Sequence, residues 1–357
     1  MSVAAAGAPS PRFAFIDGLR GLASLAVALS HLVWLLPYPL PLLDYGMHGL
    51  EVFFVISGFV IAHTLRQAHV SLAFVGNYFV RRSVRLDPAY WIAIMGQLFV
   101  VWLWSEPLPS LAVIGLNAAY LHDLTQVPHI VEVSWTLCLE FQFYIVYVIV
   151  LGLSQSVAAR LAVPVNRVRL ALFGSLTVLS VFSGIPWGIH PWLEAIGNVP
   201  GLFVSLWYMF FLGVAVQWTL TKELRRAWFV AFLVVLGAVA WIWRDPALVP
   251  RDAMSPALAL ATALIVYLAG TRGQLATGLG QRWLQYFGRI SYSLYLVHVT
   301  VGMNLVYVGE LLHGSGPVAM IPWFVVAFGA SLLAAHLLYV AVERPSMLLG
   351  KRLKPRR

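Results

Sequence analysis

Ten runs of about 16–23 predominantly apolar residues follow one another along this chain. They lie at approximately 18–36, 48–65, 88–104, 135–153, 168–184, 200–218, 227–243, 255–270, 290–311 and 320–342. A bilayer core of about 30 Å is crossed by roughly 20 such residues in helical form. Inside lipid no water is available to the backbone, so each crossing segment must satisfy its own N–H and C=O groups as a helix. Composition agrees, because 61% of residues are apolar and 10% are charged, whereas an ordinary soluble domain carries about 25% charged residues. A water-soluble globular enzyme and a disordered chain are thereby excluded. The single cysteine, Cys138, rules out an intramolecular disulfide or a multi-cysteine metal site.

Charge placement gives the orientation. Lys and Arg near span ends mark the cytosolic side. With the N-terminus inside, 21 of the 23 Lys and Arg fall in inner segments, and only Arg244 and Arg251 fall outside. An eleventh stretch, 108–121, is short and opened by Pro107 and Pro109. Counting it as a span would destroy the asymmetry, so it is expected to be re-entrant or interfacial. The expectation is therefore an all-α, polytopic membrane helix bundle of about ten transmembrane helices with both termini cytosolic. The formal charge of +9 is then topology and lipid contact, with no nucleic-acid partner. The N-terminal MSVAAAGAPSPRF lacks the layout of a removable signal peptide. Residues 1–357 read as one integral-membrane domain with no appended soluble domain. The segments PYPLPL at 37–42 and GSGP at 314–317 read as loop punctuation.

Ionisable residues inside spans are costly and usually face a bundle interior or a wet cavity. The first span carries Arg20 and His31. Eleven residues at about 100° each make three turns plus about 20°, with a rise of about 16 Å. Both side chains thus share one helix face, Arg20 near the inner boundary and His31 near or beyond the midplane. Taken alone, Arg20 reads equally as a snorkelling anchor and His31 as a helix-packing hydrogen bond. Imidazole titrates near neutrality, so a buried histidine can also take a proton from a hydroxyl and return it. Asp17, three residues before Arg20, is a candidate partner for it.

The fourth span opens with SWTLCLEFQFY at 134–144, placing Glu140 about five residues from the outer face. Such an acid orients the His31 imidazolium, contacts an acceptor hydroxyl, or is a neutral structural group. Trp135 and Tyr144 fit an interfacial aromatic belt or the lining of a sugar cleft. The segment YFVRRSVRLDP at 78–88 holds Arg82 and Arg85 on one helix face, just before Pro88 is expected to open the third span. Paired guanidiniums bind phosphate oxygens bidentately, and the plainer reading is anionic-lipid anchoring. His63, His298 and His336 are scattered, Glu51 lies at the outer end of span two, and no metal-binding spacing is present. Ser57 and Gly58 are expected to permit close helix approach. No GxSxG, Walker A or GxGxxG motif occurs.

Six segments in this order and spacing resemble acyltransferase family 3, a family of multi-pass bacterial membrane proteins. They are FAFIDGLRGLASLAVALSH with Arg20 and His31, GLEVFFVISGFVI, RRSVRLDPAYW with Arg82 and Arg85, SWTLCLEFQFY with Glu140, GRISYSLYLVH ending at His298, and YVAVERP with Glu343. Where related sequences carry a small residue and a paired acid in the WTLxxE block, this chain has Cys138 and Phe141.

The resemblance implies an acyl-CoA-dependent O-acyltransferase of the bacterial cytoplasmic membrane. Its acyl group, usually acetyl, comes from cytosolic acyl-CoA. The acceptor is a hydroxyl of a glycan, a lipid-linked sugar or a small hydroxylated molecule at the outer side, and no metal takes part. In that reading Arg82 and Arg85 hold the donor phosphates, His31 is the general base or a transient acyl carrier, and Arg20 holds or polarises the donor. Glu140 orients His31 or the acceptor, and Asp17, Trp135, Tyr144, His298 and Glu343 are accessory. The rival class is a transporter or flippase of a glycolipid or acyl compound, whose expected inverted repeats and broken helices are not evident in the sequence.

Overall fold

A computed structural model of the protein describes residues 13–33, 45–183, 199–243 and 254–353. All regular structure among these residues is helical. In chain order the helices are α1 (Ala14–Val33), α2 (Gly49–Thr64), α3 (Leu72–Leu103), α4 (Leu111–Ala118), α5 (Trp135–Leu161), α6 (Val165–Ser183) and α7 (Trp207–Leu220). They continue with α8 (Arg226–Trp243), α9 (Met254–Thr271), α10 (Arg282–Val297), α11 (Asn304–His313), α12 (Pro317–Leu338) and α13 (Arg344–Arg352). A π-turn, His298–Met303, joins α10 to α11, and a second, Tyr339–Glu343, joins α12 to α13.

Within the described residues, each of the ten apolar runs overlaps a helix. Eight segments are long and apolar enough to cross a membrane, while α8 and α9 supply shorter apolar stretches, Arg226–Ile242 and Ser255–Thr271. The protein is an all-helical, multi-pass membrane bundle. Large apolar side chains stand on the outer surface of the bundle: Trp91, Phe99 and Trp102 on α3 and Trp228, Val234 and Trp241 on α8 are exposed. The stretch 108–121 contains only the eight-residue α4, about 12 Å long and too short to cross a bilayer. Asn117 near its end is fully buried and pins the following loop, donating to Val113 and Pro128 carbonyls and accepting from Ile130 N–H. Gly314 in GSGP adopts φ 73°, as its turn position requires. PYPLPL at 37–42, Arg244 and Arg251 lie outside the described residues.

Helix α1 packs most extensively along α10, and α2 along α7. The second contact depends on Gly58 and Gly213, where an added Cβ would collide with the carbonyls of Phe210 and Val55. Small residues of this kind let helix backbones approach within a membrane. Around that seam Phe143 stacks on Phe210 with centroids 4.1 Å apart, and Trp207 and Phe173 close the aromatic core.

Helix α3 departs from the expected start at Pro88. It begins at Leu72, capped by Ser71 accepting from Phe74 N–H, and runs through Pro88. Proline removes one backbone donor, a defect that neighbouring helices tolerate in membrane bundles. Arg81, Arg82 and Arg85 consequently sit in the interior of a 32-residue helix rather than at the foot of a span.

Candidate functional site

Six helices converge on a cavity of about 360 Å³. α1 contributes Arg20, α2 contributes Ser57, and α3 contributes Tyr78, Arg81, Arg82 and Arg85. α5 adds Thr136, Glu140 and Tyr144, and α10 adds Ser291, Tyr292 and Tyr295. One wall is closed by α13 through Met347, Gly350 and Lys351. The helical spacing of 81, 82 and 85 and the extra length of α3 carry these cations inward together.

The anionic side of the site is small and heavily engaged. Arg82 Nη2 lies 3.6 Å from Glu140 Oε2, and its guanidinium stands 3.5 Å over the Tyr144 ring, a favourable cation–π geometry. Glu140 Oε1 accepts from Ser57 Oγ at 2.5 Å and from the Tyr144 hydroxyl at 2.6 Å. Gly58 alone therefore makes the close helix approach, and Ser57 serves the acid. Behind the cavity the buried Glu343 accepts from Ser293 Oγ at 2.6 Å and faces Arg20 and Arg85 electrostatically. Among the described residues, Arg82–Glu140 is the ion pair of this cavity.

His31 lies on the same face of α1 as Arg20, turned towards α10. Its Nδ1 is 2.9 Å from the Val27 carbonyl and 3.4 Å from Nε2 of the fully buried His298. The two rings meet edge to face with centroids 5.0 Å apart. His31 is not among the residues lining the cavity. The link is Tyr295, which lines the cavity and has its ring 5.9 Å from that of His298. Its hydroxyl bonds Thr136 Oγ1 at 2.6 Å and donates to the Val133 carbonyl at 2.8 Å.

The sequence-derived residues are thus sorted by the fold. Arg20, Arg82, Arg85, Glu140 and Tyr144 come together in one cavity. Glu140 spends its contacts on Arg82, Ser57 and Tyr144, while the imidazole against His31 is His298. Asp17 lies one turn before Arg20 on α1. Trp135 lines a separate hollow with Asp123, His129 and Gly201. Arg81, Lys351, Tyr292 and Tyr295 join the cavity without having been singled out; the two cations were indistinguishable in sequence from positive-inside anchors.

A second polar group lies where the loop before α5 meets that helix. Ser134 Oγ is 2.9 Å from His122 Nε2, Cys138 Sγ is 3.3 Å from the same nitrogen, and all three residues are fully buried. Burial, reinforced by the neighbouring His129, pulls the His122 pKa down to about 4, so the ring is neutral near pH 7. Among the described residues no group of three or more His, Cys, Asp or Glu is arranged to hold a metal ion.

Comparison with known proteins agrees on one family. The model of the acyltransferase family 3 domain matches residues 13–340. Acyltransferase MdmB of Streptomyces mycarofaciens is 25% identical, across 96% of this chain and 93% of that protein. The Komagataeibacter xylinus protein named "Putative membrane-bound transacylase BcsY" is 29% identical, across 95% of this chain and 84% of its own. Peptidoglycan O-acetyltransferase OatA of Listeria monocytogenes serovar 1/2a is 30% identical across 37% of this chain and 23% of its own. No solved structure shows a significant match.

Proposed function

The chain belongs to acyltransferase family 3, and on that premise we propose that it moves an acetyl or other short acyl group from cytosolic acyl-CoA to a hydroxyl of a glycan or related acceptor at the outer side of a bacterial cytoplasmic membrane. The observation that carries this reading is the cationic cavity. Four arginines and Lys351 line it against a single lining carboxylate, Glu140. Such a concave field, walled by low-dielectric protein, concentrates anions. Coenzyme A presents a diphosphate and a 3′-phosphate, which arginine forks bind bidentately. Glu140, bonded by Ser57 and Tyr144, holds the Arg82 guanidinium in place for that contact.

Distance separates the roles of Arg20 and His31. They stand about 16 Å apart along α1, so Arg20 belongs to the phosphate end of the donor and His31 to the thioester end. The pantetheine arm spans the interval by displacing Tyr295 from Thr136 and Val133. At His31 the acceptor hydroxyl gives its proton to the imidazole as its oxygen attacks the thioester carbonyl. The C–O bond forms, the C–S bond breaks, and the proton passes from His31 to the departing thiolate. A polar donor headgroup thereby stays on its own side while the acyl group alone crosses.

The test supplies radiolabelled acetyl-CoA to envelope membranes, which carry the native acceptors, and measures free CoA together with label in the glycan fraction. The unaltered protein is expected to produce both. His31→Ala and Glu140→Ala are expected to insert at normal levels and lose transfer by about 10²–10⁴-fold for His31. A transporter would release no CoA, and full activity in His31→Ala would sink the base assignment.

A further inference from the structure

The proton positions of the His31–His298 pair follow from what the rings face. His31 Nδ1 is 2.9 Å from the Val27 carbonyl and His298 Nδ1 is 3.0 Å from the Leu294 carbonyl. A carbonyl only accepts, so both Nδ1 atoms carry hydrogen. A neutral imidazole has one N–H, which leaves a lone pair on Nε2 of His298. That nitrogen is the one 3.4 Å from His31 Nδ1. One assignment of the hydrogens satisfies all three contacts. The opposite tautomer of His298 would turn two hydrogens on one another and set a lone pair against the Leu294 carbonyl.

Resting on the acyl-transfer reading above, we propose that His298 is a positioning residue for His31, filling with a neutral imidazole the place that an acid holds in a Ser-His-Asp triad. It shares the Nδ1 hydrogen of His31 with Val27 and so keeps that hydrogen off Nε2. His31 Nε2 then carries the lone pair that takes the acceptor's proton. When the His31 imidazolium forms, its Nδ1–H donates more strongly, and the lone pair of His298 receives it. A neutral acceptor suits the location, because a carboxylate at this depth would carry a desolvation cost of its own.

The backbone around His298 is shaped for this task. His298 is the first residue of the π-turn His298–Met303, and such turns change the phase of a helix locally. The same turn is seated on α1: a Cβ at Gly302 would collide with Leu32, the residue after His31. The ring of His298 is thus presented to α1 by a turn that touches α1 directly beside the base.

Two readouts test the proposal on the full-length protein in lipid nanodiscs. The first uses ¹⁵N-labelled histidine and NMR at neutral pH, with signals assigned from His31→Asn and His298→Gln variants. The expected result is a pyridine-like Nε2 on His298, with the hydrogen on its Nδ1. A hydrogen on Nε2 of His298 overturns the proposal. The second compares kinetics. His298→Leu is expected to lower kcat roughly 10–100-fold, the worth of a charge-assisted hydrogen bond, with the KM for acetyl-CoA unchanged. His298→Gln, whose Oε1 restores an acceptor near the Nε2 position, is expected to recover most of that loss, which a merely space-filling role would not produce. A wild-type kcat in His298→Leu overturns the proposal. Failure of the unaltered protein to release CoA is a failure of the acyl-transfer reading, and it is told apart because the tautomer readout needs no substrate.

Discussion

Two clusters among the described residues set arginines against carboxylates, and they are finished differently. In the first, Arg66 and Arg169 close on one acid, Glu223. Arg66 Nε donates to it at 2.7 Å, and Arg169 pairs with its other oxygen. Arg169 also bonds Asn166 and stands 4.6 Å from the Trp218 ring centroid, and the Thr221 hydroxyl donates to the same acid. This cluster ties the end of α2 to the start of α6 and the α7–α8 connection, and its charges meet protein partners. In the second, Arg20, Arg81, Arg82, Arg85 and Lys351 share Glu140 at the wall and Glu343 behind it. Those acids are themselves engaged by Ser57, Tyr144 and Ser293. The first cluster is a clamp. The second leaves a positive field in a hollow, of the kind that concentrates anions. Counting cations in the sequence treats both alike; the difference lies in what surrounds them.

The largest effect that separates the two is structural. Arg169→Ala removes a buried guanidinium and leaves Glu223 half-paired in a partly buried position, at a cost of about 2 kcal/mol. Thermal unfolding in detergent should register it, while the folded fraction keeps its affinity for acyl-CoA. An affinity loss matching that of a cavity arginine would break the distinction. Lys351→Ala sharpens it at the exposed rim: the KM for acyl-CoA is expected to rise about 2–5-fold at low salt, with kcat unchanged. A smaller effect concerns the cluster of His122, Ser134 and Cys138, which also satisfies itself. The His122 pKa lies near 4 in the fold against about 6.5 unfolded. The unfolded chain therefore binds the extra proton between these values, and the stability conferred by neutral His122 is present above pH 6.5 and falls as pH drops towards 4. Hydrogen-exchange protection across 119–131, taken relative to the intrinsic amide rate at each pH, should fall over that interval, and His122→Asn should flatten the dependence. Protection that rises on acidification would contradict the assignment.

Much of the fold was legible because lipid enforces it. Helix existence follows from run length and backbone satisfaction alone, so each apolar run found its helix. The shared face of Arg20 and His31 followed from helical period. The start of α3 was misplaced because Pro88 resembles a boundary, and only the packed bundle tolerates it inside. The partners of Glu140 and His31 were not legible. Glu140 meets Arg82 from 58 residues upstream and His31 meets His298 from 267 residues downstream, and those contacts depend on which helices neighbour one another. Local propensity also carries no signal for the π-turns at His298 and Glu343, although each places one of these side chains.

The most direct measurement is the dissociation constant for coenzyme A, by calorimetry in nanodiscs at one fixed salt concentration. It compares the unaltered protein, the Arg82→Ala/Arg85→Ala double variant and Arg66→Ala. The cavity account predicts roughly 100-fold or greater weakening in the double variant, from two charge-assisted contacts of about 1.5–3 kcal/mol each, and an Arg66→Ala value within about twofold of wild type. Equal affinity in the double variant and the unaltered protein would return Arg82 and Arg85 to lipid anchors and contradict the account.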